Sequence, residues 1–169
     1  MSFEFYAALG LDPKLILDAD DLRKRFYVRS RESHPDLAGA SAEDRMALLN
    51  DAFRTLRNPV SRAEYFLHQS GLELAKDVPP ELLEEVFDLN MALEEIRGGD
   101  ESALPQLESA RKRFAGMQGD IDAELAAIGA RYDGAPNPAA LEELRGALNR
   151  RRYISNLLRD VDKELTAKN

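Results

Sequence analysis

Apolar side chains recur at intervals of three and four along almost the whole chain, and no stretch alternates apolar and polar residues long enough to read as a strand, so the pattern predicts an all-α protein. Asp18 stands where a helix N-cap belongs, ahead of a periodic stretch that should end near Ser33, because Pro35 disfavours helical backbone at His34. Ser41, with Asp44 three residues later, marks a second start before Met46, Leu49, Ala52, Phe53 and Leu56, and Asn58-Pro59 closes that element. These two helices are expected to pair antiparallel. A short helix from about Val60 to Gln69 brings Ala63, Phe66 and Leu67 to the same core, and Gly71 stops it. Phe5 and Leu9 form a brief apolar opening that Gly10 and Pro13 interrupt.

Lys76-Asp77-Val78-Pro79-Pro80 is a stiff break in the periodicity, which places a linker at 76–80 between a first domain, 1–75, and a second, 81–169. Three longer helices follow, about Pro80 to Arg97, Glu101 to Tyr132 and Pro138 to Ala167, and their short connections imply an antiparallel three-helix bundle. Gly116, Gly119 and Gly129 each weaken the middle helix by up to about 1 kcal/mol relative to alanine, so a kink or fray is expected there. On the first helix Leu82, Val86, Leu89, Leu93 and Ile96 make one core seam, and Leu83, Phe87 and Met91 make a second apolar stripe rotated by roughly 100° from it. On the last helix Ile154, Leu158, Val161 and Leu165 make a seam, with Tyr153 and Leu157 facing to its side and extending the second stripe.

Composition narrows the chemistry. The 169 residues include no cysteine, which excludes disulfides, thiolate nucleophiles and cysteine-held metal clusters. The two histidines, His34 and His68, lie far apart, and no metal site is expected. No segment reads as a signal peptide or membrane span, so a cytoplasmic protein without membrane association is the expectation. The net charge of -8 opposes nonspecific binding to nucleic acid. The acid is concentrated after residue 70. Within the first 70 residues, Leu22 to Arg31 carries Arg23, Lys24, Arg25, Arg29 and Arg31 and no acidic residue, a positive strip on an acidic protein. Phe26 and Tyr27 are read as core packing, and His68 as structural.

His34-Pro35-Asp36, between the basic helix and the second amphipathic one, is the most specific feature. Pro35 fixes its own torsion and restricts His34, so an imidazole and a carboxylate are presented at low entropic cost. Without a phosphate loop or a metal constellation the trio is not an enzyme site; it is a rigid turn suited to a partner's arginine, beside cations suited to an acidic surface.

The basic helix, the His-Pro-Asp turn and Leu49-Asn50-Asp51-Ala52-Phe53-Arg54-Thr55-Leu56 resemble the J-domain of DnaJ-type co-chaperones over about Phe3 to Gly71. The resemblance implies a non-enzymatic adaptor that stimulates the ATPase of a DnaK/HscA-class chaperone, with His34, Pro35 and Asp36 triggering hydrolysis and Arg23, Lys24, Arg25 and Arg29 docking. The sequence departs from the pattern at Leu37, where a basic residue usually follows the tripeptide, and at Ser33, where an aromatic commonly precedes it. Phe5-Tyr6-Ala7-Ala8-Leu9-Gly10-Leu11, Arg57 to Leu67 with its Arg62-Ala63-Glu64-Tyr65 core, and Leu82 to Ile96 are similar to the HscB family of iron–sulfur co-chaperones. That similarity implies binding of the iron–sulfur cluster scaffold through Leu83, Phe87, Asp88, Met91 and Tyr153; Glu84 and Met91 depart from the residue types expected there. It implies no cofactor bound by this chain itself. The alternative is a J-domain adaptor for a different client.

Overall fold

A computed structural model describes residues 2–34, 36 and 41–168. Among them are seven α-helices and no strand: α1 Glu4–Ala8, α2 Ala19–Glu32, α3 Ala42–Leu56, α4 Pro59–Gln69, α5 Leu83–Arg97, α6 Leu104–Gly134 and α7 Pro138–Lys168, with single 3₁₀ turns at Pro80–Leu82 and Glu101–Ala103. The expected all-α architecture is therefore the one found. The chain divides into two compact units, Met1–Leu74 with Ile128–Leu144, and Ala75–Ala127 with Arg145–Asn169.

In the first unit, local chemistry sets the helix starts. Asp18 caps α2, its carboxylate accepting the Asp21 N–H at 2.9 Å. Asn58 caps α4, accepting from Val60 N at 2.8 Å and Ser61 N at 3.3 Å, with Pro59 at the first helical position where its missing N–H costs nothing. The expected Ser41 cap differs: its hydroxyl accepts from Arg45 Nη2 at 3.1 Å and makes no bond to the helix backbone. The apolar opening is itself a helix, α1, closed by Gly10 at φ 66°. The positive φ makes this turn one that favours glycine, and the Arg29 guanidinium packs against it, 2.6 Å from where a Cβ would stand.

The start of α2 (Ala19, Leu22) shares a groove with the end of α3 (Phe53, Arg57), and the end of α2 lies beside Met46 near the start of α3, so the two run antiparallel as expected. Phe26 stacks on Phe53 at 4.4 Å between them. Tyr6, Leu9, Leu22, Leu56 and Leu67 are fully buried in this core, each side chain contributing about 1.5–3 kcal/mol of transfer free energy. Two expectations fail here. Tyr27 lies outside the core, mostly exposed, because it sits one position round the helix from Phe26. His68 is a surface residue of α4, its Nδ1 3.4 Å from Gln69 Nε2.

The loop before α2 is fixed from three sides. Tyr6 donates its hydroxyl to Lys14 O at 2.7 Å, Arg62 donates to Leu15 O at 2.8 Å, and the Asp133 carboxylate accepts from Leu15 N and Ile16 N, both at 2.9 Å. Arg62 is itself buried and also donates to Leu56 O at 2.7 Å. Burial lowers its pKa from the ordinary arginine value, while the fields of Tyr6 and Asp133 push the other way.

In the second unit, charged and polar pairs link Arg111 to Asp162, Gln118 to Ser155, Arg151 to Asp122 and Arg150 to Glu124. One number rises as the other falls, which makes α6 and α7 antiparallel. α5 completes the bundle with Leu89, Ala92, Leu93 and Ile96 buried, and Val86 only half-buried. α6 runs as one uninterrupted helix through Gly116, Gly119 and Gly129, so the glycines do not fray it. Ile154 and Val161 are buried as expected, but Leu157 takes the core position expected of Leu158, which is half-buried like Leu165.

Candidate functional site

Two surfaces collect the residues singled out in the sequence. The first is the end of α2. His34 and Asp36 are both exposed, and the Asp36 N–H donates to His34 Nδ1 at 3.3 Å. The Asp36 carboxylate also lies 3.5 Å from Nδ1. Nδ1 serves one contact at a time: as an acceptor it takes the amide, and carrying a hydrogen it faces the carboxylate. Pro35 and Leu37 lie outside the described residues. Ser33, the C-cap of α2, is buried.

The four cations assigned to docking do not form one set. Arg23 pairs with Asp20 at 3.6 Å. Arg25 pairs with Asp21 at 2.8 Å and donates to Gly10 O at 2.7 Å, and Arg29 lies against the same glycine, so these two point toward the end of α1. Lys24 lies on a different face with Arg31, and among the described residues neither makes an ion pair. Arg31, part of the positive strip but not among the docking assignments, is thus better placed beside His34 than Arg25 or Arg29.

The second surface is on α5. Leu83, Phe87 and Met91 are 55%, 64% and 48% exposed, while Leu82, Leu89, Leu93 and Ile96 of the seam beside them are buried, so the second stripe is surplus to the core. Asp88 is exposed beside it, and Asp88 and Met91 border a groove of about 580 Å³ that runs to Arg113 on α6. Tyr153 is half-buried and constrained: its hydroxyl donates to Lys76 O at 2.9 Å and the Arg152 guanidinium lies 5.4 Å above its ring. Arg152 in turn donates to Ala75 O at 2.7 Å, and Asn149 donates to Asp77 O at 2.9 Å. Three consecutive carbonyls of the segment before α5 are thereby held by three residues of α7. This clamp gave no periodic signal, because side chain to backbone bonds leave no spacing in sequence.

Residues 4–65 match the DnaJ domain family model and residues 78–162 match that of the HSCB C-terminal oligomerisation domain. The chain belongs to the HscB co-chaperone family. The co-chaperone protein HscB homolog of Vibrio vulnificus strain YJ016 is 32% identical, the match covering 93% of this chain and 94% of that protein. That of Azoarcus sp. strain BH72 is 29% identical over 97% of this chain and 94% of its own. Among solved structures, chaperone HscB from Vibrio cholerae aligns with a TM-score of 0.66 at 25% identity, covering 98% of this chain and 99% of its own. Human co-chaperone protein HscB, at 23% identity and a TM-score of 0.67 over 95% of this chain and 81% of its own, shares the fold. As an HscB-family member with a J-domain, the chain is a co-chaperone whose partner is an Hsp70-type chaperone. No helix among the described residues is long and apolar enough to cross a membrane.

Proposed function

We propose that this co-chaperone stimulates ATP hydrolysis by a DnaK/HscA-class chaperone and delivers to it the scaffold protein on which iron–sulfur clusters are assembled. His34, Pro35 and Asp36 trigger hydrolysis; Arg23, Lys24, Arg25 and Arg29 supply docking charge. Leu83, Phe87, Asp88, Met91 and Tyr153 grip the scaffold, the apolar side chains through desolvation and Asp88 at the rim. The observation that supports this reading is a division of labour within one chain: a solvent-exposed His34–Asp36 turn at the end of a cationic helix, and in the other unit an apolar stripe that its own core does not use. Tethering raises the effective concentration of client at the chaperone, so hydrolysis coincides with capture. The linker boundary at 76–80 between a J-domain and a client-binding domain is part of the proposal.

Steady-state ATP hydrolysis by the chaperone, with and without scaffold, tests it. Stimulation by the wild type should vanish in Asp36→Asn, and Phe87→Ala should lose only the scaffold-dependent part. A folded wild-type chain that fails to stimulate removes the chaperone role, and scaffold-independent stimulation by both wild type and Phe87→Ala assigns the stripe to a different client.

A further inference from the structure

Arg150, Arg151 and Arg152 follow one another on α7 and make different use of their charge. Arg150 meets the Glu124 carboxylate through two bonds, at 2.7 and 3.0 Å, and Arg151 meets Asp122. Arg152 makes no ion pair among the described residues. Its Nη2 donates to two neutral acceptors, Ala75 O at 2.7 Å and Asn149 Oδ1 at 2.9 Å, and its guanidinium carbon lies 5.4 Å from the centre of the Tyr153 ring. A half-buried cation with no anion beside it is drawn to the negative face of an aromatic ring. Tyr153 is thereby held at two points, its hydroxyl on Lys76 O at 2.9 Å and one face under the guanidinium, and it keeps exposed surface for a partner.

We infer that Arg152 is a positioning residue for scaffold recognition: it fixes the Tyr153 ring in the orientation the scaffold meets, without touching the scaffold itself. The inference rests on the scaffold-gripping role proposed for Tyr153. A tyrosine side chain turns about two bonds, and a partner that needs one orientation must first confine it. With the ring already confined, that ordering is complete when α7 has folded, and binding does not oppose it. Two tasks separate within Arg152: its charge holds the ring, and its hydrogen bond to Ala75 O holds the segment that leads into α5. Loss of the Tyr153 hydroxyl bond alone leaves the ring under the guanidinium. Loss of the charge leaves one end tethered and the face free to turn.

The test is the affinity of the full-length chain for the scaffold protein, by titration calorimetry, read beside the rate at which a lysine-specific protease cuts at Lys76. Arg152→Gln should weaken scaffold binding about fivefold. Arg152→Lys should keep affinity within about twofold, because an ammonium still stands over the ring. It should nevertheless speed the cut at Lys76 as Arg152→Gln does, since the bond to Ala75 O is given up. Tyr153→Leu keeps an apolar side chain but no ring, so adding Arg152→Gln to it should weaken binding no further. Circular dichroism with thermal unfolding confirms that the variants fold. Wild-type affinity in folded Arg152→Gln, with Phe87→Ala impaired, overturns the positioning role and leaves the scaffold-gripping reading standing. A loss that persists on the Tyr153→Leu background, or that Arg152→Lys does not rescue, shows that Arg152 acts through the segment or on the scaffold directly, and overturns it as well. A wild type that does not bind the scaffold overturns both readings.

Discussion

Asp133 Oδ1 accepts the backbone N–H of Leu15 at 2.9 Å across 118 positions of sequence, and its second oxygen takes the N–H of Ile16. A carboxylate with two acceptor oxygens satisfies both donors; an amide offers only one. Asp133→Asn should therefore leave one amide without its partner and lower stability by about 1–3 kcal/mol, read as a shift in the urea midpoint with unchanged slope. Arg62→Lys should cost at least as much, since an ammonium cannot reproduce the fork that reaches Leu15 O and Leu56 O together.

Gly116, Gly119 and Gly129 of α6 should respond in opposite directions to alanine. A Cβ on Gly116 or Gly119 meets nothing within 4 Å, so each replacement should stabilise by up to about 1 kcal/mol through helix propensity. At Gly129 a Cβ would stand 3.1 Å from Leu15 Cβ and from Ile16 Cδ1. Gly129→Ala should give up that gain to displacement of the loop, and the thermal midpoints of the three variants rank the sites.

What the sequence disclosed and what it hid divide along this line. Period and caps located α2 through α7 to within a few residues, because burial of one face and satisfaction of end groups are local and repeat along the chain. The expected fray in α6 came from counting glycines as weak helix formers, whereas the helix runs on through them and Gly129 admits the close approach of Leu15 and Ile16. Tyr27 and Leu157 were misplaced for a related reason: neighbouring apolar residues on a helix leave the choice of buried face to tertiary packing. The His34–Asp36 turn and the α5 stripe were legible because a rigid turn and a surplus apolar face are both visible as residue types at fixed spacing.

Alkaline pH should destabilise the fold through Tyr6. Burial pushes its pKa far above the ordinary tyrosine value, and burial also raises Tyr65. The sign follows from proton binding: above about pH 10 the unfolded chain releases tyrosine protons that the native state keeps, so the unfolded state gains. Stability contributed by Tyr6 is complete below that pH and falls by about 1.4 kcal/mol per pH unit above it, until its own elevated pKa is reached. Thermal unfolding between pH 8 and 11.5 should show a flat midpoint followed by a decline, and ultraviolet titration should show Tyr6 ionising only as the protein unfolds.

Tyr153 carries two tasks that substitution can separate. Its ring is proposed to contact the scaffold, while its hydroxyl holds Lys76 O beside the bonds that Arg152 and Asn149 make to Ala75 O and Asp77 O. Tyr153→Phe keeps the ring and removes one of three fastenings on the segment that leads into α5. Scaffold affinity should then stay within about twofold, because the lost bond is not to the scaffold, while a lysine-specific protease should cut at Lys76 faster than in the wild type. Arg152→Ala should speed that cut further, since it removes the bond to Ala75 O and leaves Asn149 without the donor it accepts from at 2.9 Å. Tyr153→Ala should lose scaffold binding and fastening together. If Tyr153→Phe weakens scaffold binding as much as Tyr153→Ala does, the hydroxyl bond to Lys76 sets the shape of the binding surface, and the clamp belongs to client recognition rather than to the linker alone.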